Sequence, residues 1–249
     1  FGSSRLPRQP IGQLSTMDKG PVPARACNQR FNRTLAGSNF LALYDETDAH
    51  PKKALVKRRL KRISEDAAKF FDKLIEEEEC TVREACRRIW SSNTGYYKKV
   101  QRAIATDDSK ELKWWMPFIR ALNSSLTAQP TQTTMTTWRY SKKLTDSAAG
   151  KIEEGETYRL GMYVATSLDR DKAENFEKEG CWHIKFCIPR GCYNATDISE
   201  QSEFQSEKEV LFPPYTAVTV IDRCRRRRRF ECKVLDNRDV DEDCQTVLM

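Results

Sequence analysis

From Leu55 the apolar residues Leu55, Leu60, Ile63, Ala67, Phe70, Phe71 and Leu74 recur at spacings near three and four, with charged residues between them, which predicts one amphipathic helical face. "TVREACRRIW" follows, where Thr81 and Glu84 stand as a capping box and Val82, Ala85, Cys86 and Ile89 form the inner stripe. "YYKKVQRAI" predicts a further short helix. "SKELKWWMPFIRALNSSL" predicts a helix interrupted near Pro117, its stripe continuing through Phe118, Ile119, Leu122 and Leu126. The glutamates at 76–79 read as the solvated end of a helix.

Near residue 130 the period changes from helical to alternating. "TQTTMTTWRY", "TYRLGMYVATS", "CWHIKFCIP", "EVLFPP" and "AVTVI" are β-branched, apolar or alternating runs, separated by Gly, Pro, Asn and Asp, and each predicts a strand. "LDRDKAENFEKEG" between them predicts a short helix, with Asp169 as cap, Ala173 and Phe176 facing inward and Gly180 at its end. In "RCRRRRRFECKV", at 223–234, Cys224, Phe230 and Cys232 share one parity and would anchor a hairpin. Residues 1–38, with Pro7, Pro10, Pro21 and Pro23 and few large apolar groups, predict a flexible leader. Residues 39–235 form the folded domain, and 236–249 an acidic tail.

Composition narrows the picture. The net charge of +7, from 43 basic and 36 acidic residues, does not by itself imply nucleic acid. The nine cysteines include no C-x-x-C pair and only His50 and His183 accompany them, so no metal site is expected. Sequons begin at Asn32, Asn123 and Asn194 and would matter only in a secreted chain; secreted and cytoplasmic locations both stay open. No apolar stretch reaches the roughly 18 residues that span a bilayer.

Three segments stand out in order: "TTWRYSKKL", "YVATSLDRDKAENF" and "FQSEKEVLFPP". Each is weak alone, but their order, spacing and strand context make the set fairly specific. Together they resemble the Arg-Ser-Glu class of mono-ADP-ribosyltransferases, over most of residues 40–225. The resemblance implies an α+β fold, with a helical N-terminal lobe packed on a split, mainly antiparallel β core, so that 39–235 would be the catalytic domain. It also implies NAD as substrate, an arginine-bearing protein as acceptor, and no metal.

Residue by residue, the resemblance puts Trp138 and Arg139 on a strand at the floor of the NAD cleft, where a planar, permanently charged fork suits a pyrophosphate. Tyr140 replaces the Gly usual in the family. Tyr163, Thr166 and Ser167 match the family's aromatic and Ser-Thr-Ser strand and would contact NAD beside Arg139, with Arg139 and Ser167 also in the catalytic set; Ala165 takes the place of the first Ser, whose hydroxyl helps hold the catalytic Glu. Phe176 would pack near nicotinamide. Glu207 and Glu209, two apart, would face one cleft if both lay on a strand. Glu209 would stabilise the oxocarbenium-like state and Glu207 would receive the acceptor guanidinium. Phe204 matches the family's target-facing aromatic.

Two other readings follow from the departures. Water as acceptor would make the chain an NAD glycohydrolase. Tyr140 and Ala165 would also suit a non-catalytic module of the same fold that binds anionic partners through Arg225–Arg229. No aromatic interrupts that run, so base stacking has no support and nucleic acid is not expected. A solvated hairpin edge is the simpler account, and the acidic tail is a candidate partner within the chain.

Overall fold

Helices come first, in a computed structural model that describes residues 38–45 and 52–247 except 63, 93–94, 143, 177–178, 237–239 and 241–244. The expected leader lies outside the described residues, apart from its final Ser38. The helices are α1 (Ser38–Asp45), α2 (Lys53–Lys61), α3 (Glu65–Glu76), α4 (Val82–Trp90), α5 (Tyr97–Thr106) and α6 (Ser109–Leu126). The apolar face running from Leu55 to Leu74 belongs to two helices rather than one. Extended Ser64 stops α2 and caps α3, accepting from the Ala67 N–H. The capping box at Thr81 and Glu84 is present in full. Asp107, left-handed at φ 49°, ends α5, and its carboxylate accepts from the backbone N–H groups of Asn39 and Phe40 at the start of α1.

Helix α6 runs without interruption through Pro117. A mid-helix proline costs about 3 kcal/mol. Trp115, Met116, Phe118 and Ile119 are all buried around it, and that apolar burial outweighs the lost hydrogen bond. Leu60, Phe71, Leu74, Ile89, Trp115 and Leu122 belong to one core shared by the helices.

The sheet follows: β1 (Met135–Ser141), α7 (Asp146–Gly150), β2 (Thr157–Leu160), β3 (Val164–Ser167), α8 (Arg170–Glu174), β4 (Trp182–Ile188), β5 (Thr196–Asp197), β6 (Glu209–Phe212), β7 (Thr216–Cys224), β8 (Arg229–Val234) and β9 (Gln245–Val247). Their order is β5-β6-β3-β1-β4-β8-β7-β2-β9. Among the described residues β2–β9 and β4–β8 pair in parallel and the other pairs are antiparallel. "TYRLGMYVATS" forms two strands, because Met162 N–H turns back onto the Leu160 carbonyl at 2.8 Å.

Strands β1 and β3 meet at one residue pair, Trp138 with Ser167, whereas β1 and β4 pair along seven. The sheet is therefore split at β1/β3. Alternation in β6 serves two cores, since Leu211 packs with the helices while Val210 and Phe212 pack on the other face. Gln245–Val247, in the stretch expected to be an acidic tail, adds a strand beside β2. Asn123 and Asn194 are buried, so their sequons are inaccessible in the folded chain. No described helix is long and apolar enough to cross a membrane, and no group of described residues could hold a metal ion.

Candidate active site

The split opens into a cleft of about 620 Å³, within the roughly 300–1,000 Å³ of ligand sites. Its floor carries Trp138, Arg139 and Tyr140 of β1 and Ala165, Thr166 and Ser167 of β3. Glu207 and Glu209 stand at one side, and Ser91, Ser92, Tyr97, Lys98 and Gln101 close it from the helical lobe. Three exposed aromatics, Tyr97, Phe176 and Phe204, line the same cleft.

Glu207 and Glu209 reach the cleft by a route that strand alternation does not describe. Glu207 ends a 3-10 turn, Gln205–Glu207, and Lys208 is left-handed at φ 47°; only Glu209 is in a strand. The end of β3 grips this turn. Ser167 pairs with Glu209 across the ladder. Its hydroxyl donates to the Glu207 carbonyl at 2.6 Å and accepts from Asp169 N–H at 3.0 Å. Leu168 N–H donates to the Lys208 carbonyl at 3.0 Å. Lys208 Nζ pairs with Asp169 at 3.2 Å, which draws the intervening cation towards α8. Asp169 also caps α8. Without a hydroxyl at Ala165, the turn is held by its backbone and by these contacts.

Burial governs the charges. The Glu209 carboxyl, 8% exposed, is raised to about 7 by desolvation and then by Glu207, with Arg139 opposing. Burial also raises Glu207. The half-buried Arg139 guanidinium is lowered to about 10 by desolvation against the favourable Glu209 charge, and its Nη1 donates to the Ala165 carbonyl at 2.7 Å. Glu209 and Arg139 are thus coupled across the β1/β3 seam, with Glu207 as a like charge beside Glu209.

Of the expected site residues, the structure brings Arg139, Thr166, Ser167, Phe176, Glu207 and Glu209 to one cleft. Tyr163 is a correction: it does not line the cleft. It is 0% exposed, its hydroxyl donates to Asn123 Oδ1 at 2.5 Å, and its ring lies 4.5 Å from Trp90. The aromatic before β3 bolts the sheet to the helical lobe, because the Gly161–Tyr163 bend turns it away from the strand. Thr166 is buried and its hydroxyl donates to the Val210 carbonyl at 3.0 Å, so its polar atom serves the β3–β6 ladder. Phe176 does not face inward from a helix; it follows α8 and is 55% exposed at the cleft. Tyr140 lines the edge of the cleft floor, its hydroxyl donating to Glu174 at 3.2 Å and its ring 4.3 Å from His183. Sequence reasoning missed Ser91, Ser92, Tyr97, Lys98 and Gln101. They lie some 40 residues before the first motif and carry no local signature beyond an aromatic–basic "YYKK".

A family model described as NAD:arginine ADP-ribosyltransferase matches residues 115–239. The chain is 32% identical over 79 residues to NAD(P)(+)--arginine ADP-ribosyltransferase 2 of Gallus gallus, a match covering 32% of this chain and 23% of that protein. For NAD(P)(+)--arginine ADP-ribosyltransferase 1 of the same species the identity is 31% over 70 residues, covering 28% and 20%. The chain therefore spans less than a quarter of the length of these curated relatives. Among solved structures, exoenzyme S from Pseudomonas aeruginosa, bound to carba-NAD, superposes with a TM-score of 0.52 at 17% identity, covering 73% of this chain and 87% of that one. The ADP-ribosyltransferase HopU1 of Pseudomonas syringae gives 0.51 at 16%, covering 76% and 100%. At these identities the likeness is one of fold.

Proposed function

The chain belongs to the NAD:arginine ADP-ribosyltransferase family, and from that premise we propose that it transfers ADP-ribose from NAD to an arginine of a target protein. The observation that carries the reading is the buried Glu209, coupled to Arg139 across the split in the sheet, with Glu207 at the same cleft.

Arg139 and Lys98, the cations from the two lobes, would hold the pyrophosphate. Phe176 would cover the nicotinamide end, and Thr166 and Ser167 would keep the wall in shape. The bond between ribose C1′ and the nicotinamide nitrogen breaks, its electron pair leaving with neutral nicotinamide. Ionised Glu209 faces the positive charge that develops on the ribose. A guanidine nitrogen of the acceptor then attacks C1′ and gives up its proton to Glu207, whose raised basicity suits that role. Water in place of guanidine would yield free ADP-ribose.

Labelled NAD with a small arginine analogue tests the assignment, counting nicotinamide release against adduct. Glu209→Gln should lower both by about 10²–10³, the range for removing one group that stabilises a transition state. Glu207→Gln should abolish the adduct and keep a measurable part of the release. Full transfer by both variants would sink the reading. Release without adduct in the wild type would make the chain a glycohydrolase.

A further inference from the structure

The arginine run at 225–229 takes no part in the chemistry above. It forms the turn between β7 and β8, with Cys224 paired to Arg229 at its base. Most of its neighbourhood is internally committed. Arg223 pairs with Glu153, Arg228 with Asp146 and Arg229 with Asp222. Arg225 donates to the Gly150 carbonyl. Arg228 is left-handed at φ 46°, and its guanidinium passes over Gly180, where a Cβ would lie 3.2 Å from Nη1. Arg226 and Arg227 are exposed and make no hydrogen bond or ion pair among the described residues.

Arg226 and Arg227 line a second, open cavity of about 400 Å³ together with Arg228, His183 and Glu179. Three arginines against one carboxylate leave that lining net positive. The cavity adjoins the cleft. Tyr140, at the edge of the cleft floor, pairs with His183 on β4, and His183 pairs with Arg229 on β8. The turn therefore begins two strand spacings, about 10 Å, from that edge. His183 N–H donates to the Arg228 carbonyl at 2.8 Å and fixes the turn there.

We propose that this arginine turn is a docking site for an acidic segment of the acceptor protein, which presents its arginine to the neighbouring cleft. The inference rests on the transferase reading. Bidentate pairing with a carboxylate suits two uncommitted guanidiniums in a cavity of this size. A nucleic acid fits less well: its affinity grows with the number of phosphates neutralised, and two guanidiniums neutralise few, and no aromatic lies within the turn. An extended chain crosses 10 Å in about three residues, so the acidic residues belong a few positions from the arginine.

The test uses peptides with one arginine and three glutamates placed four residues to either side, beside versions with glutamine. Wild type should modify the acidic peptides about tenfold more efficiently, with the advantage fading as salt rises. The double variant Arg226→Glu/Arg227→Glu should lose that advantage while nicotinamide release and transfer to a small arginine analogue stay unchanged. An equal preference in wild type, or a preference retained by the variant, overturns the proposal. So does binding at the turn of a short single-stranded RNA in place of the peptide. If no arginine analogue is modified at all, the active-site reading fails, and fluorescence anisotropy with the same peptides still decides the turn.

Discussion

At the scale of single residues, Glu209 sets the pH behaviour. Its carboxyl is held at about 7, above its ordinary 4.5, by burial and by Glu207, against Arg139. The proposed mechanism uses the ionised form, so kcat/KM for nicotinamide release should rise with pH through about 7 and then level off. Glu207→Gln removes a like charge and should move that limb to lower pH, which a pH profile of release alone would reveal. The same shift has a stability consequence. The folded state binds the proton more tightly than the unfolded chain, so nothing is lost below pH 4.5, stability declines as pH rises to about 7, and the deficit is constant above. The size is up to about 3 kcal/mol. Glu209→Gln carries no such deficit, so in urea unfolding its stability relative to wild type should be greater at pH 8 than at pH 4.5. An equal difference at both pH values would mean that the carboxyl is not held proton-tight. That two carboxylates come to the cleft was legible in "SEKEVLFPP"; their conformation was not. Alternation places residues two apart on one side only in an extended strand, and Lys208 is left-handed.

At the scale of elements, the loop from Ser167 to Asp169 clasps the Glu207–Glu209 turn. Asp169 has two duties, capping α8 and pairing with Lys208. Asparagine caps as well as aspartate, so Asp169→Asn removes the pairing alone. An exposed pair of this kind is worth about 0–1 kcal/mol, and kcat should fall a few-fold with little change in KM for NAD. Asp169→Ala should add a stability loss of about 1 kcal/mol from the lost cap. If KM moves while kcat stays, Asp169 does not position the turn. Helix and strand identities were largely readable, because capping residues and apolar periods are local. The break at Ser64 and the continuity through Pro117 were not, since one turns on a single extended residue and the other on burial contributed from far along the chain.

At the scale of the whole molecule, the cleft exists because the sheet is nearly severed between β1 and β3 and a helical lobe spans the opening. That lobe is tied to the sheet by polar contacts. Gln101 donates to the Tyr163 carbonyl at 2.6 Å and accepts from its N–H at 3.0 Å, and the Tyr163 hydroxyl reaches Asn123 on α6. None of this is visible in sequence, where Gln101 and Tyr163 are separated by 62 positions. A ligand held between Arg139 on the sheet and Lys98 on α5 would bridge both lobes and bind only the folded chain. NAD at a hundredfold over its Kd should therefore add about 2.7 kcal/mol, a rise in Tm of about 5–10 °C for a domain of this size. Arg139→Ala and Lys98→Ala, one from each lobe, should each cut most of that shift at the same NAD concentration, whereas the Arg226→Glu/Arg227→Glu variant should keep it. Thermal unfolding with and without NAD distinguishes the cases. A full shift in Lys98→Ala with none in Arg139→Ala would mean that the dinucleotide rests on the sheet alone and that the helical lobe only walls the cleft.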